Sequence, residues 1–161
     1  SNYKLIFHER MKRSPSDSYI KRMKTAGLKN TYFSLDPVSY DKLNEVLLSA
    51  DIGIVNYKIG LDSASWSNLT KASGKIADYL SCGLPVLCSH FDGIDKLINK
   101  YKFGLVFKSY DEVPSCVEKI LSDYEYYSKN ALNCFEREYN FSNDFSMVAN
   151  IFKQIKSVNI F

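Results

Sequence analysis

Short β-rich apolar runs alternate with segments of helical period along the first two-thirds of this chain, and that rhythm restricts the fold more than any other feature. Tyr3 to His8 (YKLIFH), Thr31 to Leu35 (TYFSL), Ile52 to Val55 (IGIV), Val86 to Cys88 and Leu105 to Phe107 read as strands, because they concentrate β-branched and aromatic residues between turn-forming positions. IGIV is apolar on both faces apart from its glycine. Such runs mark strands covered on both sides, the habit of parallel sheets. Strands separated by helices of about ten residues imply right-handed βαβ crossovers. The expected fold is therefore α/β: a three-layer Rossmann-like domain with a mostly parallel sheet of about five strands, helices on both faces and a helical carboxyl-terminal tail.

The helices carry their own start and stop signals. Ser14-Pro15-Ser16-Asp17 places a cap, a proline at the first helical position and an acid in the first turn, and that helix should end near Gly27. After Asp36-Pro37, Ser39 is the expected cap of a helix with Leu43, Val46 and Leu47 on one face. Helices are also expected over 74–81 and from Ile94 to Lys100. From about Val113 to Asn159 the chain reads as helical and rich in Tyr and Phe, broken near Asn140 to Ser142, where Ser142 and Asp144 signal a new start.

With 161 residues, the chain is expected to form one domain over 1–161, large enough for a full hydrophobic core. Its 45% hydrophobic and 24% charged residues are those of a globular protein. No apolar run approaches the roughly 20 residues of a membrane span, so a cytoplasmic setting is expected. The net charge of +3 and the scatter of Lys and Arg give no reason to expect nucleic acid. Cys82, Cys88, Cys116 and Cys134 form no CxxC pair and read as reduced, mostly buried thiols, with no metal expected.

One connection breaks the rhythm. Tyr57 to Ala72 (YKIGLDSASWSNLTKA) follows the third strand, whereas most βα loops have about 2 to 6 residues. It leaves the carboxyl end of a strand, where open α/β sheets place their ligands. Trp66 stands there among Ser63, Ser65, Ser67, Asn68 and Thr70, an aromatic plate with short hydrogen-bonding groups that suits a sugar or nucleotide. A surface loop with one packing tryptophan is the plain alternative.

The helix that follows begins near Ser73-Gly74 in SGKIADYLSCGLPVLC. Its unpaired backbone N–H groups and positive dipole end favour an anion at the same sheet edge. Gly74 admits close backbone approach. Lys75 is a cation in a first turn, where the dipole disfavours one, which suggests that it answers a negative ligand. Asp78, one turn on, is able to accept hydrogen bonds from a vicinal diol such as a ribose. An exposed helix lysine and a surface acid are the plain alternatives. Gly83-Leu84-Pro85-Val86 reads structurally in any case: glycine ends the helix, proline forbids its continuation, and Val86-Leu87 opens a core strand.

The run S-x-K-x-x-[DE]-Y-L-x-x-G-x-P-V, together with Ala50-Asp51-Ile52-Gly53-Ile54-Val55 before it and Gly104-Leu105-Val106-Phe107 after it, resembles the carboxyl-terminal half of group 1 (GT4-like) glycosyltransferases of the GT-B fold. The resemblance implies a donor domain that binds a UDP- or GDP-linked sugar. It also implies transfer to an acceptor hydroxyl, with retention, in polysaccharide or glycoconjugate synthesis, and no cofactor or obligatory metal. In that family an acid, seven residues and a second acid form the donor motif, and the second acid binds the ribose hydroxyls. Asp78 takes the second position. Thr70 stands at the first, so the contact to the donor sugar passes to Thr70, Ser73 or the backbone at Gly74, with Ile76 in the same turn counted in the site. Lys75 is implied as the stabiliser of leaving-group charge, and the nucleobase is implied beside Pro37 and Val38, where an ordinary Asp-Pro turn is the alternative.

Family members are roughly twice as long. The resemblance thus implies an amino-terminal acceptor domain as partner, a missing first strand of the donor domain that would lie mid-sheet, and a fragment inactive alone, because transfer needs both reactants in line. Association of the full-length protein with the inner face of the membrane is a further expectation. A receiver-like signalling domain would need a phosphoacceptor Asp at the end of its third strand, where Asn56 stands. A dinucleotide-binding domain would need G-x-G-x-x-G after its first strand, and HERMKRSP has no glycine. A non-catalytic nucleotide-binding relative, or an epimerase of similar architecture, is the remaining alternative.

Overall fold

The computed structural model describes residues 3–26, 29–57, 73–91 and 93–157, with the side chains of 143, 144, 147, 156 and 157 excluded. Its five strands are all parallel and fall into two sheets, one of two strands and one of three. The chain divides into two compact units, Ser1–Leu43 and Asn44–Phe161, which are described in turn.

The first unit is one βαβ element. Strand β1 (Leu5–His8) leads to helix α1 (Ser18–Thr25) and strand β2 (Thr31–Ser34). The strands pair in register from Leu5 with Thr31 to His8 with Ser34. Ile20 is fully buried, and Phe7 and Phe33 stack with ring centroids 5.6 Å apart.

Helix α1 starts later than Ser14-Pro15 suggests. Asp17 is its N-cap residue without a side-chain cap, because that carboxylate turns back and accepts from the Ser14 N–H at 3.3 Å. Ser14 and Pro15 therefore lie in a preceding turn closed by Asp17 N–H to Ser14 O at 3.0 Å. Gly27, the expected stop, lies outside the described residues; α1 ends at Thr25. The helix expected after Ser39 opens as a 3-10 turn, Tyr40–Lys42, with no side-chain cap from Ser39. It continues as α2 (Leu43–Leu47), whose Leu43, Val46 and Leu47 are half-buried as their shared face requires.

The second unit holds β3 (Gly53–Val55), α3 (Gly74–Ser81), β4 (Val86–Ser89), α4 (Ile94–Tyr101) and β5 (Gly104–Phe107). A 3-10 turn, Tyr110–Glu112, precedes α5 (Val113–Ser122), α6 (Tyr124–Glu138) and α7 (Phe141–Ser157). The sheet order is β3-β4-β5. All four residues of β4 are buried, as expected of a middle strand sandwiched between helices. Val86 and Cys88 pack with Val55, Ile76, Leu80, Ile94, Phe103, Ala131 and Cys134 in one cluster. Leu87 points the other way, to Phe107, Ile120 and Tyr127, following the two-residue period of a strand.

Three local features differ from the sequence reading. Ile54 is 38% exposed, so β3, first in its sheet, is not covered on both faces: the cluster opposite Val55 contains Ile52 and Leu105 but not Ile54. The tail is interrupted at Asp123 as well as near Asn140. The later helix starts at Phe141 rather than at Ser142, because the Asn140 side chain accepts from the Ser142 N–H at 3.1 Å. Among the described residues all four cysteines are free thiols, Cys88 and Cys134 buried and Cys82 and Cys116 half-buried. Burial pushes the thiols of Cys88 and Cys134 up to about 12. No helix of the described residues is long and apolar enough to cross a membrane.

Candidate functional site

Ser73 and Lys75 stand at the start of α3 beside Tyr57, which follows the carboxyl end of β3, and Asp78 lies one turn further along the same helix. Ser73 is the N-cap of α3. Its hydroxyl accepts from the Ile76 N–H at 3.5 Å, the long limit of such a bond, and lies 3.3 Å from the Tyr57 hydroxyl. At the other end of α3, Gly83 adopts φ +69°. Gly83 N–H donates to Leu80 O at 3.0 Å and Leu84 N–H to Tyr79 O at 2.9 Å, the two bonds of a Schellman stop. Both ends of α3 are thereby set, and Ile76 and Leu80 anchor it in the core.

Gly74 and Lys75 are exposed on the first turn. A Cβ placed on Gly74 would meet nothing within 4 Å, so this glycine is open to an approaching group. The Lys75 ammonium lies over the Tyr57 ring, 5.6 Å from its centroid. Since Tyr57 follows the carboxyl end of β3, Lys75 is aimed along the strand ends. Among the described residues Lys75 and Asp78 form no ion pair, so the surface-pair alternative is not what holds Lys75. Asp78 is half-buried, and burial raises its carboxyl above the usual carboxylate range. The neighbouring Tyr79 phenol is raised chiefly by burial and further by the Asp78 charge. Its ring covers Gly53 so closely that a Cβ there would enter it.

Thr70 and the loop bearing Trp66, Ser63, Ser65, Ser67 and Asn68 lie outside the described residues. Pro37 and Val38 belong to the first unit, exposed in the turn after β2. Two neighbours of the site escaped the sequence reading. Ser89, fully buried at the end of β4, clamps the backbone of Tyr57: its hydroxyl accepts from Tyr57 N–H at 2.8 Å and donates to Tyr57 O at 2.9 Å. A serine closing an otherwise apolar strand was the available signal. Beyond it, His90 Nδ1 lies 2.8 Å from Asp95 Oδ2, an ion pair only when the imidazole is protonated. No group of three or more His, Cys, Asp or Glu among the described residues is placed to hold a metal ion.

The second unit thus combines a parallel sheet with a serine-capped helix start beside the carboxyl end of β3. Residues 18–139 match the family described as Glucosyltransferase 3-like, C-terminal domain. The chain belongs to that family and is a glycosyltransferase carboxyl-terminal domain. Among solved structures it is similar to sucrose-phosphate synthase from Thermosynechococcus elongatus, with TM-score 0.66 and 14% identity over 97% of this chain. That likeness is one of fold, as expected of the GT-B type, and the chain spans 39% of the synthase chain. Comparison with curated proteins finds no match.

Proposed function

We propose that this chain is the donor-binding domain of a group 1-type glycosyltransferase that moves a sugar from a UDP- or GDP-sugar to an acceptor hydroxyl, in polysaccharide or glycoconjugate synthesis. The observation that carries the reading is the placement of Lys75, a first-turn cation held at the strand ends and one turn from Asp78 on a helix whose start favours an anion. In this reading the diphosphate meets the N–H groups at Ser73 and Gly74, with Lys75 stabilising the charge that develops as the nucleoside diphosphate leaves. Asp78 accepts from the ribose hydroxyls, and Thr70 and Ile76 complete the donor pocket. No metal takes part, and the transfer retains configuration.

Turnover requires a second, acceptor-binding domain, since the two reactants must be held in line. A cytoplasmic enzyme working at the inner face of the membrane accords with such a reaction.

The test is titration of the chain with UDP-, GDP- and CMP-linked sugars and the free nucleotides, followed by calorimetry or NMR. Asp78→Ala is expected to weaken UDP or GDP binding by about 1.5 to 3 kcal/mol, the range for hydrogen bonds to a charged group, without unfolding the domain. Lys75→Met is expected to lose more affinity for the diphosphate than for the uncharged nucleoside. Unchanged affinity in a folded Asp78→Ala variant removes Asp78 from the site, and equal losses for diphosphate and nucleoside in Lys75→Met remove Lys75.

A further inference from the structure

We propose that Tyr57 is a positioning residue for the diphosphate, its ring holding the Lys75 ammonium at the amino-terminal end of α3. The proposal rests on the donor-site reading for its ligand, but not for the geometry. A lysine stem has four rotatable bonds and its ammonium is strongly hydrated. The positive end of a helix dipole also pushes a cation away from the first turn. Left to itself, Lys75 would swing out into water, and among the described residues no carboxylate pairs with it. What faces it is an aromatic ring within the roughly 6 Å at which a cation is attracted to the π-face, with the ammonium 5.6 Å from the centroid.

That ring is fixed from three sides. The buried Ser89 hydroxyl bonds both the N–H and the C=O of Tyr57. The Tyr57 hydroxyl lies 3.3 Å from the Ser73 hydroxyl. Phe91 meets the ring edge-on with centroids 5.2 Å apart. Tyr57 thus joins the ends of β3 and β4 to the cap of α3 and presents a rigid face to a side chain that is otherwise free to wander. An arriving diphosphate then finds the cation near its binding position, so less ordering is required on binding.

Two measurements on the full chain test this. The first needs no ligand: ring currents from Tyr57 should displace the Lys75 side-chain methylene proton resonances upfield of those of other lysines. The displacement should persist in Tyr57→Phe and Tyr57→Trp and vanish in Tyr57→Leu. The second is a double-mutant cycle in UDP and GDP titrations. Tyr57→Leu should weaken diphosphate binding about two- to fivefold, the effect of one exposed cation–π contact. Uridine or guanosine should bind as before, Tyr57→Phe should match the parent, and Tyr57→Leu should cost nothing further in the Lys75→Met background. Undisplaced Lys75 resonances, an equal loss in the Lys75→Met background, or a Tyr57→Phe loss as large as that of Tyr57→Leu would each overturn the proposal. If the parent chain shows displaced resonances yet binds neither diphosphate, the donor-site reading falls while the Tyr57–Lys75 placement stands.

Discussion

The helix beginning at Ser18 and the helix beginning at Gly74 are both preceded by a serine-bearing turn, yet only the second is capped by a serine side chain. The difference is burial. Ser73 is 5% exposed and Ile76 fully buried, so the Ile76 N–H has little access to water and takes the Ser73 hydroxyl as its partner. Ser14, Pro15, Ser16 and Ser18 are all exposed. Water is available to the first N–H groups of α1, and the Asp17 carboxylate is used to close the preceding turn. The same local vocabulary therefore specifies a helix start strictly where the start is buried, and loosely where it is wet.

The largest expected effect tests how strictly the buried region is specified. Gly104 sits where β5 passes β4, and a Cβ there would run into the Val86 carbonyl oxygen. Backbone cannot step aside as the end of a side chain can, so Gly104→Ala is expected to cost about 3 kcal/mol or more. Chemical denaturation would show it; a loss under about 1 kcal/mol would mean that the β4–β5 register is not held by close approach.

Much of this contrast was legible beforehand. The segment from Ser73 to Val86 carries a cap, a glycine in the left-handed region and a proline, each limiting the backbone by itself, and the structure follows them residue by residue. Parallel pairing and a strand number of about five also followed from the alternation, whereas the strand order, and the separation of the described strands into sheets of two and three, did not. The start of α1 and the start of α7 were misplaced because Asp and Asn side chains have a choice of backbone partners. Asp17 spends its carboxylate on Ser14 and Asn140 spends its amide oxygen on Ser142. The role of Tyr57 was hidden for another reason: its meaning comes from Ser89 and Phe91, distant in sequence and brought to it only by β3–β4 pairing.

The next effect compares the two helix starts directly. Ser73→Ala is expected to destabilise the chain by about 1 kcal/mol, the usual value of an N-cap hydroxyl, and to remove the Ser73 contact of the Tyr57 hydroxyl. Ser14→Ala should remain within about 0.5 kcal/mol of the parent, as exposed substitutions do. Thermal and urea unfolding of both variants measures the difference. Equal losses would show that burial does not distinguish the two caps.

A smaller effect separates stability from binding at the same helix start. Gly74→Ala meets no neighbour and replaces a poor helix former by the best one, so stability should rise by about 0.4 to 1 kcal/mol. If the diphosphate approaches the backbone there, affinity for UDP or GDP should fall in the same variant. A variant that is more stable with undiminished affinity would place the anion elsewhere on the first turn.

The smallest expected effect lies in the pH dependence of Asp78, and its sign distinguishes a ligand-serving acid from a structural one. Burial raises its carboxyl above the ordinary value of 3.8, so the folded chain binds that proton more tightly than the unfolded chain does. Stability from this group is therefore present in full below about 3.8 and is lost as pH rises through the higher folded value. At neutral pH the ionised carboxylate is a mild burden on the fold. Asp78→Asn keeps the shape and removes the charge, and should be slightly more stable than the parent at pH 7, within about 0.5 kcal/mol because water still reaches and screens this half-buried position. The advantage should shrink as pH falls toward 3.8, while UDP or GDP affinity drops at neutral pH. Melting curves at several pH values, run beside nucleotide titrations, check both. An Asp78→Asn variant less stable at pH 7 would show that the carboxylate stabilises the fold, and the reason to read it as an acid kept for a ligand would be gone.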